Sequence, residues 1–165
     1  MGTSGSAGGE VSAPELGCGR ILAVDYGRKR IGLAVSDELR VTSRPLGTIS
    51  RVNRRRDLSR LREACRANAV THIIVGHPLH MTGEAGEMAR EAARFAARLE
   101  KETHIPVELV DERLTSWEAE QTVGPTREPV RRKRKPIDEV AAAVLLRGYL
   151  EKTRGQAHGA RAQRD

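Results

Sequence analysis

The chain predicts an α/β domain: a five-stranded mixed sheet with helices on both faces. Three observations carry that prediction. Short apolar runs recur with only a few polar residues between them at the start of the chain. Later runs alternate with segments of helical periodicity. No run of about 18 apolar residues interrupts this order, so no membrane-spanning helix is expected.

The elements follow in order. Ile21–Val24, Ile31–Val35 and Leu46–Ser50 read as three strands joined by short connections, hence an antiparallel meander. A helix is expected from about Arg55 to Asn68, with Leu58, Leu61 and Cys65 at helical spacing. His72–Val75 is apolar at its centre, as a strand buried on both faces should be, and stops at Gly76-His77-Pro78. A second helix, about Gly86 to Lys101, sets Met88, Ala92, Phe95, Ala96 and Leu99 on one face. The strand Val107–Val110 runs into Asp111-Glu112-Arg113. Thr115 with Glu118 forms a capping box, so a helix is expected from about Ser116 to Gly124-Pro125, with Trp117 packed in the core. The basic segment Thr126–Pro136 reads as a loop. The last helix is expected over Ile137–Lys152, burying Ile137, Val140, Ala141, Val144, Leu145, Gly148 and Tyr149. A meander followed by two right-handed crossovers closes the sheet. Residues 1–19 and 153–165 are polar, rich in Gly, Ala and Arg, and non-periodic; both read as flexible tails around a domain at 20–152.

Charge narrows the function. Lys and Arg number 29 against 22 Asp and Glu, a net +7. The cations cluster at Arg28-Lys29-Arg30, at Arg51 with Arg54-Arg55-Arg56, and at Arg131-Arg132-Lys133-Arg134-Lys135. A single cluster is commonly a solvated face; three in one small domain point to a polyanion partner. With only Tyr26, Phe95, Trp117 and Tyr149 as aromatic side chains, stacking on bases is not the main mode of binding. The segment 1–19 lacks a basic start and an apolar core, so it is not a secretory signal. Cys18 and Cys65 show no ligand spacing, and a chain with reduced thiols is the simplest account.

Acids stand at three telling positions. Asp25 ends the first strand, Glu112 beside Asp111 ends the last, and Asp138 with Glu139 opens the last helix. Sites in open α/β sheets form outside the strand ends, so these acids can face one edge. Each has an ordinary alternative: Asp25 can open a turn, Asp111-Glu112 can pair with Arg113, and Asp138 can complement a helix dipole. Together, three carboxylates suit Mg²⁺, with Mn²⁺ as a substitute, and two such ions about 3.5–4 Å apart serve phosphodiester cleavage. His77 and His80 lie beside this edge and read as loop histidines making ordinary hydrogen bonds.

Four motifs in order resemble the YqgF/RuvX family: Ala23-Val24-Asp25-Tyr26-Gly27 with Ile31-Gly32-Leu33-Ala34; Ile73-Ile74-Val75-Gly76-His77-Pro78-Leu79 with Gly83; Asp111-Glu112-Arg113-Leu114-Thr115-Ser116; and Ile137-Asp138-Glu139-Val140-Ala141-Ala142. The resemblance spans about residues 20–152 and departs at His77 and His80, where many members carry Leu and Asn. It implies an RNase H-like fold and a cytoplasmic nuclease for the 5′ end of pre-16S ribosomal RNA, or a Holliday-junction resolvase. It makes Asp25, Glu112 and Asp138 the expected catalytic metal ligands. In that arrangement the first strand neighbours the fourth, so Glu112 must reach in from one strand further, roughly 9–10 Å away. Lys29, Arg30, Arg113, Arg131, Arg132, Lys133, Arg134 and Lys135 are the expected nucleic-acid contacts. The expected partners are structured RNA or branched DNA and a ribosomal precursor particle, with the chain a monomer or weak homodimer. A non-catalytic nucleic-acid-binding factor on the same fold is the rival from another class.

Overall fold

A computed structural model of the protein describes residues 19–79, 82–112 and 138–162. The strands are β1 (Arg20–Tyr26), β2 (Arg30–Ser36), β3 (Ser43–Ser50), β4 (Val70–His77) and β5 (Val107–Asp111). The helices are α1 (Arg54–Ala67), α2 (Glu87–Thr103) and α3 (Asp138–Ala162). The strands form one sheet in the order β3-β2-β1-β4-β5. β1 and β2, and β2 and β3, pair antiparallel, while β4 pairs parallel with both β1 and β5.

Side chains alternate across a strand, so each strand divides its residues between two cores. Leu22 and Val24 of β1 face α1 and α2, in a cluster with Leu33, Val75, Leu61, Cys65, Phe95 and Leu99. Ile21 and Ala23 face the other way, against Ala142, Leu145, Leu146 and Leu150 of α3. Helices therefore cover both faces, as the sequence predicts. Each Leu sealed under α3 contributes roughly 1.5–3 kcal/mol of burial. Asn53 caps α1 by accepting from the Arg56 amide at 2.9 Å.

α3 is pinned along its length. Ser43 Oγ donates to the Ala143 carbonyl at 3.3 Å, and the Tyr149 hydroxyl donates to Glu108 Oε2 of β5 at 2.8 Å. Burial first, then the Glu108 carboxylate, keeps that phenol protonated well above its ordinary range.

Several sequence expectations shift. β4 starts at Val70 and β3 at Ser43, the latter taking in Pro45 and a register shift opposite Leu33/Ala34 that leaves Leu46 as an extra residue. Such irregularity is tolerated on an edge strand. The stripe of α3 is rotated by about one residue from the expected one: Ala142, Leu146 and Leu150 are buried, while Val140 and Val144 are 41% and 42% exposed. α3 also continues past the expected end at Lys152 into the segment read as a tail. The helix expected at 116–124, the loop at 126–136, Trp117, Cys18 and His80 lie outside the described residues. Cys65 is a core residue, its thiol pushed up to about 11 by burial.

Candidate active site

Alternation along β1 continues through its last residues, so Asp25 falls on the same face as Ile21 and Ala23, the face that α3 covers. Its neighbours in the sheet are glycines on both sides. On one side Asp25 pairs directly with Gly32 of β2. On the other, Gly76 of β4 lies one step beyond the Val24–Val75 pair. Both glycines fall on the α3 face by the same alternation, since Ala34 and Ile74 do.

What the missing side chains admit is the other two acids. A Cβ on Gly32 would strike the backbone carbonyl of Asp138, so the first residue of α3 lies directly over β2. A Cβ on Gly76 would strike the carboxylate of Glu112, which therefore crosses over β4 toward β1. The backbone helps, since the Glu112 amide donates to the His77 carbonyl at 3.4 Å and carries on the β4–β5 pairing. The strand-wide gap that separates Glu112 from Asp25 is spanned across a residue with no side chain.

Electrostatics ties the three acids together. Asp25 is raised from its ordinary value, by burial first and then by the charge of Asp138. Glu112 is pushed up to about 7, by burial first, then by Asp25 and then Asp111. Buried carboxylates that repel one another are short of positive charge, and their oxygens are the donors that hard divalent cations take. In donor type and charge the set fits a divalent cation. As placed, no three carboxylate, imidazole or thiolate groups among the described residues close around a single point. Asp138 instead turns Oδ2 to Arg30 Nε, at 3.2 Å.

The remaining expected residues divide. Lys29 and Arg30 are exposed in the β1–β2 hairpin next to Asp25, and Arg30 is already engaged with Asp138. Arg28, from the same hairpin, pairs with Glu91 at 3.2 Å and Glu87 at 3.6 Å of α2. His77 is half-buried at the end of β4. Arg113, Arg131, Arg132, Lys133, Arg134 and Lys135 lie outside the described residues. Sequence reasoning missed Gly32 and Gly76 as parts of the site. Their signal was legible, because a glycine within or just after an apolar run marks a close approach.

A family model described as RuvX, Holliday junction resolvase, matches residues 19–152. A protein of Anaeromyxobacter sp. (strain K), named "Putative pre-16S rRNA nuclease", is 47% identical over 133 residues, which cover 81% of this chain and 97% of that one. A protein of Koribacter versatilis (strain Ellin345) with the same name is 41% identical over 134 residues, covering 81% and 88%. Among solved structures, Thermus thermophilus RuvC in complex with a Holliday junction substrate aligns with a TM-score of 0.54 at 15% identity, over 82% of this chain and 96% of RuvC. That likeness shows the fold, which is RNase H-like.

Proposed function

The chain belongs to the RuvX family, and from that premise we propose that its carboxylate edge cuts the 5′ leader of the small-subunit ribosomal RNA precursor. In its coarser form the assignment is a nuclease, a hydrolase of phosphodiester bonds. The observation that supports a nuclease is the row Gly32–Asp25–Gly76, over which Asp138 and Glu112 approach from opposite sides, and the RNA substrate is taken from the name of the relatives.

Asp25, Glu112 and Asp138 would hold Mg²⁺, or Mn²⁺ in its place. Bound there, the cation supplies a Lewis acid and an activated water for hydrolysis. The chain's own residues do the rest. Asp25 is the fixed member, held in a strand that is hydrogen-bonded on both sides. Glu112, reaching over Gly76 on a longer side chain, would be the second ligand in its carboxylate form. Asp138 would hold the cation through the carboxylate that now meets Arg30, and the Arg30 guanidinium beside it would bind two oxygens of the phosphate being cut. Lys29 adds a second positive charge from the same hairpin. The unplaced cations Arg113 and Arg131–Lys135 are assigned to the RNA by their sequence positions. Action on such a substrate places the protein in the cytoplasm; among the described residues no helix is long and apolar enough to cross a membrane.

A second reading is favoured by the family's description: cleavage of four-way DNA junctions. It requires two active sites and therefore a dimer. The deciding experiment incubates wild type and Asp25→Asn with a labelled pre-16S leader RNA and, separately, a four-way DNA junction, with Mg²⁺ or EDTA. Mg²⁺-dependent cutting of the RNA by wild type, lost by more than about a hundredfold in the variant, is expected. Cutting confined to the junction would replace RNA processing by resolution. Binding without cutting of either would make the protein a non-catalytic factor.

A further inference from the structure

One flank of this sheet edge carries cations that the proposed reaction leaves unassigned. β3 ends at Ser50, paired with Arg30, so the β1–β2 hairpin and the start of α1 lie at the same end of the sheet. α1 opens with Arg54, Arg55 and Arg56, all exposed. None of the three is ion-paired with a carboxylate among the described residues. Cations in the first turn oppose the helix dipole, which favours negative charge there. A first-turn acid would ordinarily offset them. Asp57 is that acid, but it is 1% exposed and already engaged: it accepts from Arg51 Nε at 3.1 Å and from the Val52 amide at 3.2 Å.

Arg51 also fixes this flank to the active edge. Its Nη1 donates to the Tyr26 hydroxyl at 3.0 Å and the Gly27 carbonyl at 3.1 Å, and its amide donates to the Lys29 carbonyl at 3.0 Å. Tyr26 follows Asp25 directly, so the backbone leading into α1 is tied to the strand end that bears the carboxylates, across the sheet from α3. The start of α2, on the same face of the sheet, is different: there Glu87 and Glu91 neutralise Arg28. Uncancelled positive charge therefore lies on the α1 side of the edge.

We propose that Arg54, Arg55 and Arg56, with Lys29, form a phosphate track along which the nucleic-acid backbone leaves the carboxylates over α1. The direction of that path rests on the nuclease reading; the phosphate contacts themselves do not. Guanidinium groups suit the role because each can grip two oxygens of one phosphate.

The test is fluorescence anisotropy of a labelled RNA duplex in EDTA across a KCl series, with wild type and the triple variant Arg54→Gln/Arg55→Gln/Arg56→Gln. Each phosphate contact contributes roughly 0.9 to the slope of log K against log salt for a duplex. The triple variant should lose about two to three units of slope, and the matching triple Lys variant should keep most of it. Arg62→Gln/Arg66→Gln/Lys101→Gln, at the far ends of α1 and α2, removes the same three charges and should leave the slope close to wild type. An unchanged slope in the triple Gln variant overturns the track, as does an equal fall in the control. Cleavage is scored separately. No cutting with the expected fall in slope would sink the nuclease reading and leave the track standing. Cutting that depends on Asp25, with no change in slope, would do the reverse.

Discussion

A methyl group added at Gly76 would meet the far end of a flexible side chain, the Glu112 carboxylate; one added at Gly32 would meet the backbone carbonyl of Asp138. The two substitutions should therefore fail differently. Gly76→Ala should fold with a melting temperature near wild type but bind Mg²⁺ far more weakly, because Glu112 is turned aside. Gly32→Ala should cost about 1–3 kcal/mol of stability, because a helix start must move. Calorimetric unfolding beside isothermal titration with Mg²⁺ separates these outcomes, and equal loss of stability in both would count against the crossing of Glu112. Arg30 allows a test with the opposite sign. Its guanidinium occupies the Asp138 oxygen that the proposed cation would take, so Arg30→Gln should bind Mg²⁺ several-fold more tightly while cutting RNA more slowly. Weaker Mg²⁺ binding in that variant would show that Arg30 supports the site rather than competing for it. At this scale the acids were legible in the sequence, because Asp25, Glu112 and Asp138 each stand where an element begins or ends. The frame around Arg51 and Asp57 was not. Asp57 sits among arginines on a polar stretch, and only the meeting of that stretch with the first hairpin buries it.

α3 shows how an element can be recognised and still be misphased. The segment Val140–Leu146 is apolar on every side, so helical spacing alone fits more than one stripe. The sheet chooses among them: Gly32 admits the start of the helix, and the small side chains of Ala23 and Ala34 accept the face carrying Ala142, Leu146 and Leu150. α2 gave no such ambiguity, because Arg90, Glu91, Arg94 and Arg98 mark its outer side and leave a clear stripe through Ala92, Phe95 and Leu99. The observed phase of α3 is tested by paired truncations. Leu146→Ala should cost about 2–5 kcal/mol, whereas Val144→Ser should stay within about 0.5 kcal/mol. Urea denaturation reads both, and a larger loss at Val144 would restore the stripe expected from the sequence. The strands were legible in order and pairing because β1, β2 and β4 are continuous apolar runs. Their ends were not, since pairing with a neighbour extends a strand past its apolar centre.

For the whole molecule, the acids at the edge set a pH dependence. The Glu112 carboxyl lies at about 7 in the folded chain against an ordinary 4.5. The folded state therefore binds more protons than the unfolded state between those values. Stability from this group is full below about 4.5 and is lost as pH rises through about 7. In EDTA, Glu112→Gln should match wild type in melting temperature at the acid end and exceed it by a growing margin toward neutral pH. Mg²⁺ should narrow that margin by stabilising wild type. A margin independent of pH would mean that Glu112 is neither buried nor held among like charges. The rims of the sheet bear on assembly. β3, at one rim, carries Pro45, the extra residue Leu46 and the exposed cation Arg44; β5, at the other, is five residues long with Glu108 exposed. Kinked, charged or short rims are what keep sheets from zipping onto copies of themselves. Among the described residues neither rim offers a second copy a flat template, so concentrated protein should resist strand-to-strand aggregation.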